Sequence, residues 1–458
     1  MKVLKFGGTS VGSVKNIRHV VSLINNDEPK FVVLSAMSGT TNKLVEIANC
    51  HKSGNIDKAQ NVINELREKY MQTADELLTS SLKDIYFQFC NNLFETLSVL
   101  IRNDYTSHIE RIIQAQGEIC TTHLVQLYLK EINVNSILLP ALNFMKIQDD
   151  GEPDYPFIES QIKKELQDHL GYQIYLTQGF ICKNPNDEID NLKRGGSDYT
   201  ATILGAMINA REIEIWSDID GLHNNDPRFV ENTQAVDELT FDEAEELAYF
   251  GAKVLHPTCI FPAKWRNVPV RLKNTMNPQA QGTYISSNEQ GYGIKAIAAK
   301  DCITAIQIKS GRMLNAYGFL RRIFEIFEQF RTSVDMITTS EVSVSVTIDN
   351  TSKLEEIIAE LNTLGNVEII QHQSLICVVG FISAQTKGIA NKILESLTHL
   401  PIRMISYGSS GNNVTLLIDS DYKIEALNSL HNHLFLKPGN GAHNSVIQER
   451  HVFLDSHC

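Results

Sequence analysis

From residue 1 to about 290, short apolar runs alternate with helix-length amphipathic stretches, and this rhythm constrains the fold more than any other feature. The runs at 2–6, 30–36, 133–139, 172–181, 212–217 and 268–273 read as strands. Between them lie helical patterns such as 109–131, where Ile109, Ile112, Ile113 and Ala115 recur at helix spacing. Strand followed by helix, many times over, predicts an α/β domain with a mainly parallel sheet covered on both faces. The stretch 52–108 is helix-like throughout and predicts a helical excursion.

Beyond residue 293 the texture changes to a repeat with a period near 70 residues. Phe319, Ile323, Phe324, Phe327 and Phe330 form an apolar helix stripe, answered by Ile389, Ile393, Leu394, Leu397 and Leu400. Val342, Val344, Val346 and Ile348 alternate with small polar residues, the mark of a strand with one buried face. Helix then antiparallel-type strands, twice, predicts two small α+β modules. The tail from Leu436 onward loses periodicity.

The 458 residues carry a formal charge of −13. That balance argues against a nucleic-acid backbone or an anionic membrane as the main partner, since both call for cationic surface. No apolar stretch approaches the roughly 20 residues of a membrane span, and the N-terminus lacks a signal-peptide core. Eight cysteines without a CxxC pair predict free thiols in a reducing cytoplasm rather than a zinc site.

Five polar motifs carry chemistry. Lys5-Phe6-Gly7-Gly8-Thr9-Ser10 follows the first strand, where glycines let backbone N–H groups approach a polyanion and Lys5 adds a point charge. It is neither a P-loop nor a dinucleotide fingerprint. Ser35 to Asn42 again joins a strand end to a helix, and Thr41 could cap that helix or touch a small ligand. Arg194-Gly195-Gly196-Ser197-Asp198 concentrates a guanidinium, a hydroxyl and a carboxylate at a helix start. Arg194 suits bidentate capture of a carboxylate, while Ser197 and Asp198 alone could be capping residues.

The run from Trp216 to Arg228 is a strand end followed by turn chemistry, and its Asp218, Asp220 and Asp226 do not fit an EF-hand. Phe250 to Pro257 places Lys253 after a helix, with His256 more plausibly structural than catalytic. Glu118 interrupts a strongly apolar helix. No Ser/His/Asp signature and no metal-ligand cluster accompany these loops. The combination favours phosphoryl transfer to an acidic or amino-acid acceptor, a reaction in which a protein mainly positions and neutralises.

Taken in order, KFGGTS at 5–10, GTTN at 39–42, QGE at 116–118, QGF at 178–180, RGGSD at 194–198, WSDIDGLHNNDPR at 216–228 and FGAKVLHP at 250–257 resemble the aspartate kinases. The resemblance spans residues 1 to about 435, and the C-terminal repeat is similar to the paired ACT domains of those enzymes. It implies a three-layer α/β/α amino-acid-kinase domain at 1–290. A first ACT domain is implied at 303–374, a second at 293–302 plus 375–440, and a tail at 441–458.

The activity implied is ATP-dependent conversion of L-aspartate to 4-phospho-L-aspartate, the first step towards lysine, threonine and methionine, with magnesium carried on the phosphates. By position, Lys5 and Asp198 are the implied catalytic residues. Lys5, Gly7, Gly8, Ser217, Asp218, His223, Arg228, Lys253 and Val254 fall on the ATP side. Thr41, Glu118, Phe180, Arg194, Ser197 and Asp198 fall on the aspartate side. Ser217 and His223 stand where threonine and tyrosine are usual, and Gln116 where histidine is often seen.

For regulation, Met313, Ala316, Phe319, Leu320, Val334, Asp335, Ser340 and Glu341 resemble the effector site of lysine-inhibited members, with Ala316 replacing a serine. The resemblance further implies a homodimer, or a dimer of dimers, formed through the ACT domains. Glutamate, acetylglutamate or nucleoside-monophosphate kinases could share the fold, but KFGGTS and the tandem repeat favour aspartate. A sensor without catalysis would have lost the charged site residues, whereas Lys5, Glu118, Arg194, Asp198 and Lys253 are all present.

Overall fold

The computed structural model describes residues 1–79, 81–192, 195–251, 255–288, 293–313, 317–382, 386–408 and 410–436. They form two compact units, the first made of residues 1–222, 235–245 and 253–290, the second of 223–234, 246–252 and 291 onward. Among the described residues no helix is long and apolar enough to cross a membrane.

Unit 1 opens with β1 (Lys2–Phe6), α1 (Val14–Ile24), β2 (Lys30–Leu34) and α2 (Thr40–Lys52). The helices α3 (Ile56–Leu77), α4 (Leu82–Leu100) and α5 (Ser107–Glu131) follow. Next come β3 (Ser136–Leu138), α6 (Tyr155–Asp168), β4 (Ile174–Gln178), the hairpin β5 (Ile181–Lys183) and β6 (Ile189–Asn191), then α7 (Gly196–Met207) and β7 (Ile213–Ser217). The unit closes with β8 (Glu238–Thr240), α8 (Phe241–Tyr249, whose last residues belong to unit 2), α9 (Pro257–Trp265), β9 (Val270–Asn274) and β10 (Thr283–Ser286).

Eight strands form one sheet in the order β3-β4-β2-β1-β7-β9-β10-β8. From β3 to β9 every pairing is parallel, and only β9–β10 is antiparallel. β2 and β4 are buried along their whole length, which is why both read as unbroken apolar runs. The helical excursion packs its apolar faces into this core through Ile63, Leu66, Tyr70, Phe94 and Leu97. Thr106 starts α5 by accepting a hydrogen bond from the Ile109 N–H at 3.1 Å.

The run at 172–181 proves to be two strands, because the chain turns at Gly179-Phe180. Phe180 has φ 68°, a left-handed conformation unusual for a bulky residue. Its N–H donates to Thr200 Oγ1 at 3.0 Å and its carbonyl accepts from the Leu192 N–H at 2.8 Å, so two partners hold the strained geometry.

Unit 2 contains β11 (Gly293–Lys309), α10 (Phe319–Gln329), β12 (Met336–Thr339), β13 (Ser343–Ile348), α11 (Leu354–Leu361) and β14 (Asn366–Phe381). It ends with α12 (Ile389–Glu395), β15 (Met404–Tyr407), β16 (Asn413–Asp419) and α13 (Lys423–Leu434). The sheet order is β12-β13-β11-β14-β16-β15. The long antiparallel pair β11–β14 runs through the middle; one end of β11 pairs with β13, and the opposite end of β14 pairs with β16. Each half has its own core. Ile308, Ile323, Phe327 and Val346 pack in one, Ile376, Ile393, Leu416 and Leu430 in the other. The elements α10-β12-β13 thus recur as α12-β15-β16 at the spacing of the sequence repeat.

Candidate active site

In a mainly parallel sheet the strands end along one edge, where the connecting loops are free to build a pocket. Here the loops after β1, β2 and β4, together with the start of α7 and one face of α5, enclose a cavity of about 870 Å³. β1 and β7 are paired in register up to Phe6 and Trp216, and the Gly7 N–H donates to the Trp216 carbonyl at 3.1 Å. Lys5, inside β1, is thereby fixed just below the glycine turn. Its ammonium lies 2.6 Å from Asp198 Oδ1, with both side chains largely buried (11% and 16% exposed).

Asp198 owes its place to the entry of α7. Gly195 caps the helix at φ 74° without a side-chain hydrogen bond, which puts Ser197 and Asp198 in the first turn rather than at the cap. The turn lies tightly against the strained residue of the β4–β5 link: a Cβ on Gly196 would meet Phe180 Cδ2 at 2.4 Å. Phe180, Ser197 and Asp198 therefore arrive together in the cavity wall.

Across the cavity, α5 holds the end of β2 through side chains. Glu118 Oε1 accepts from the Ala36 N–H and Thr121 Oγ1 from the Met37 N–H, each at 3.1 Å. The buried Tyr70 hydroxyl on α3 braces this contact, lying 3.2 Å from both Thr40 Oγ1 and Thr121 Oγ1. Glu118 is 5% exposed. Burial pushes its carboxyl up to about 7, against the pull of the Ala36 N–H and the Lys5 charge. A carboxyl buried within reach of a lysine charge, in a cavity, is a marker of a functional site.

Comparison with known proteins decides the family. Residues 1–274 match the model of the amino acid kinase family, and residues 376–434 match an ACT domain. The chloroplastic aspartokinase 3 of Arabidopsis thaliana is 34% identical over 94% of this chain and 81% of its own length. The lysine-sensitive aspartokinase 3 of Escherichia coli is 31% identical over 94% of this chain and 99% of its own. The solved structure of E. coli aspartokinase III in complex with aspartate and ADP (R-state) is similar over 95% of this chain and all of that one, at 30% identity and a TM-score of 0.84. The same enzyme in complex with lysine and aspartate (T-state) gives a TM-score of 0.78, with 95% of this chain and 99% of that one covered.

The chain belongs to the aspartokinases.

Of the aspartokinase positions named from sequence, Lys5, Gly8, Thr41, Glu118, Phe180, Ser197 and Asp198 all line the one cavity. Thr41 is exposed in the first turn of α2, whose cap is Gly39, so the capping alternative does not hold. Ser10, in the same glycine-rich loop, turns its hydroxyl away to Thr275 Oγ1 at 2.6 Å. Ser217 and Asp218 stand at the end of β7 and in the turn after it, and Asn274 Nδ2 there donates to Asp220 Oδ1 at 2.8 Å. His223 and Arg228 belong to unit 2, where His223 Nδ1 contacts Thr233 Oγ1 at 2.9 Å and the Arg228 guanidinium is paired with Asp226. Arg194, Lys253, Val254 and Ala316 lie outside the described residues.

Among the regulatory positions, Phe319 is buried in the core between α10 and β13, while Met313 and Val334 pack against that core. Leu320 and Glu341 are exposed, and Ser340 Oγ pairs with Ser343 Oγ at 2.7 Å. The Asp335 side chain, only 1% exposed, already has a cation: Lys300 Nζ lies 2.8 Å from its Oδ1, and the Tyr249 hydroxyl donates to the same oxygen.

Sequence reasoning missed a whole wall of the cavity. Glu110, Arg111 and Gln114 on α5, with Asp190 and Asn191 on β6, line it too. Their one sequence signal is spacing: Arg111 precedes Glu118 by two helical turns and so shares its face.

Proposed function

We propose that unit 1 transfers the γ-phosphoryl group of ATP to the side-chain carboxylate of L-aspartate, giving 4-phospho-L-aspartate and ADP. The observation that carries this reading is the buried Lys5–Asp198 pair facing Glu118 across one cavity. The acceptor carboxylate is already ionised at neutral pH, so in-line attack on phosphorus needs no general base. Lys5 neutralises charge growing on the transferred group and the bridging oxygens. Asp198 keeps the ammonium in place and orients the reacting groups. Glu118, Thr41, Phe180 and Ser197 receive the amino acid, with Glu118 taking the α-ammonium and Arg194 the α-carboxylate.

On the nucleotide side, Gly8 offers its backbone N–H to the phosphates, Gly7, whose own N–H is held by the Trp216 carbonyl, leaves open space beside Lys5 Nζ, and Ser217, Asp218, Lys253 and Val254 complete the contacts within unit 1. Magnesium enters with the triphosphate and belongs to the substrate.

Lysine is the proposed feedback effector, acting at Met313, Ala316, Phe319, Leu320, Val334, Asp335, Ser340 and Glu341. The similarity to the lysine-sensitive relative supports it. The proposed assembly is a homodimer or dimer of dimers through the ACT domains. In support, β12 and β15 carry the exposed apolar residues Ile337 and Ile405.

ADP release measured with aspartate, glutamate and acetylglutamate, with and without lysine or threonine, tests acceptor and effector together. The expected outcome is turnover with aspartate and inhibition by lysine. Turnover with glutamate alone would overturn the acceptor, and inhibition by threonine alone the effector.

A further inference from the structure

The wall missed by sequence reasoning contains a clamp. Arg111 Nη1 lies 2.9 Å from Asp190 Oδ2, and the Asp190 side chain is only 12% exposed. The next residue, Asn191, donates through Nδ2 to the Arg111 carbonyl at 3.1 Å and to Gln114 Oε1 at 3.3 Å. Two consecutive residues of β6 thus grip a single turn of α5.

Each side of the clamp leads to a substrate-side group. Along α5, Glu118 stands two turns from Arg111, about 10 Å of helix rise. Along the chain from β6, the Leu192 N–H is bonded to the Phe180 carbonyl, and the helix carrying Ser197 and Asp198 begins at Gly196. The ion pair therefore ties the element that carries Glu118 to the strand that leads into Asp198.

We propose that Arg111 and Asp190 are positioning residues that set the distance between Glu118 and the start of α7, and through it the fit of the acceptor amino acid. This rests on the aspartate-phosphorylating reading and deepens it by naming what fixes the span of the acceptor site. A partly exposed ion pair contributes little to folding stability, so its loss acts on the geometry of the site rather than on the fold. Groups held in one network lose their interaction once, whichever partner is removed.

The test is a double-mutant cycle of Arg111→Gln, Asp190→Asn and the double variant, with KM for aspartate, KM for ATP and kcat measured for each. Each single variant is expected to raise the aspartate KM about tenfold, with the ATP KM and kcat within about threefold, and the double variant to be no worse than either single. Additive losses, or an Asp190→Asn variant with wild-type KM, would overturn the clamp and assign Arg111 to direct substrate contact. Hydrogen exchange of the amides at 189–192 in ligand-free protein provides the second measurement. Faster exchange in both single variants supports the clamp, and unchanged exchange rejects it. Wild-type protein without aspartate-dependent ADP release would sink the acceptor reading alone, since the exchange arm judges the clamp without substrate.

Discussion

Lys5 Nζ and Asp198 Oδ1 meet at 2.6 Å although 193 positions separate them in the chain. One residue sits inside the central strand β1, the other in the first turn of α7, and the parallel sheet brings both to its C-terminal edge. The contact is an ion pair without a well-directed hydrogen bond, so the ammonium is held near the carboxylate yet can turn towards an incoming phosphate.

Lys5→Ala removes the only side-chain charge assigned to the transferred group. It is expected to lower kcat by about 10²–10³-fold, with the aspartate KM changing much less. Steady-state ADP release checks it; an unchanged kcat takes Lys5 out of the mechanism.

If Glu118 receives the substrate ammonium as proposed, aspartate binding should depend on pH. Burial holds its carboxyl neutral up to about 7, and pairing with the substrate ammonium favours the ionised form. Binding should release a proton, and the apparent Kd for aspartate should rise about tenfold for each pH unit below 7. Calorimetry in buffers of differing ionisation enthalpy measures the proton directly. A Kd that is flat between pH 5 and 8 would remove Glu118 from ammonium recognition.

The same shift has the opposite sense for stability. The folded-state carboxyl titrates above its ordinary value of 4.5, so its contribution is fully present below that pH and is lost as pH rises through about 7. The loss amounts to about 3 kcal/mol at alkaline pH. Glu118→Gln should therefore raise the Tm of the ligand-free protein at pH 8 while it weakens aspartate binding. Thermal melts at pH 5 and pH 8 separate the two effects.

In unit 2, Lys300 bridges Asp335 and Asp349, each at 2.8 Å, and lies over the Tyr249 ring at 4.5 Å. Any cationic effector at Asp335 must exchange with this internal ammonium. Lys300→Met leaves a buried carboxylate without its cation and is expected to cost about 3 kcal/mol of stability. The lysine concentration for half-inhibition should fall, because the competitor is gone. Denaturant unfolding and inhibition curves measure the two; a half-inhibition point that rises would mean that Lys300 helps to bind the effector.

Gly196→Ala tests the tight seat of α7. A Cβ there falls 2.4 Å from Phe180 Cδ2, and Phe180 is itself pinned by Thr200 and Leu192. The turn must shift, and a displacement near 1 Å at a reacting group costs about 10²-fold in kcat/KM. Wild-type kcat/KM would show that the seat adapts freely.

Why some of this was legible in the sequence and some not has physical causes. Lys5 and Glu118 could be found because each violates its local context, a lysine near two glycines at a strand end and a carboxylate in an apolar helix, whereas Ser197 and Asp198, a hydroxyl and a carboxylate after a glycine pair, read as capping residues until the motif order was taken as a whole. Arg111 and Asp190 violate nothing, since polar residues on a helix face and a hairpin edge look solvated until the fold brings them together. The break at Phe180 was hidden because phenylalanine favours extended backbone, and the turn is explained by non-local partners, the Thr200 hydroxyl, the Leu192 N–H and the close packing of Gly196. The repeat beyond residue 293 was readable from the stripe of Phe319, Ile323 and Phe327 answered 70 residues later by Ile389, Ile393 and Leu397, whereas the Lys300–Asp335 pair depends on non-local pairing of β11 with β13.

The most direct test is to run the reaction in hydroxylamine, which traps an acyl phosphate as its hydroxamate, and to identify the product formed from aspartate and ATP. The expected product is the hydroxamate of the side-chain carboxyl, formed in step with ADP and nearly abolished in Lys5→Ala. ADP released without any hydroxamate, or a hydroxamate on the α-carboxyl, would contradict the proposed transfer.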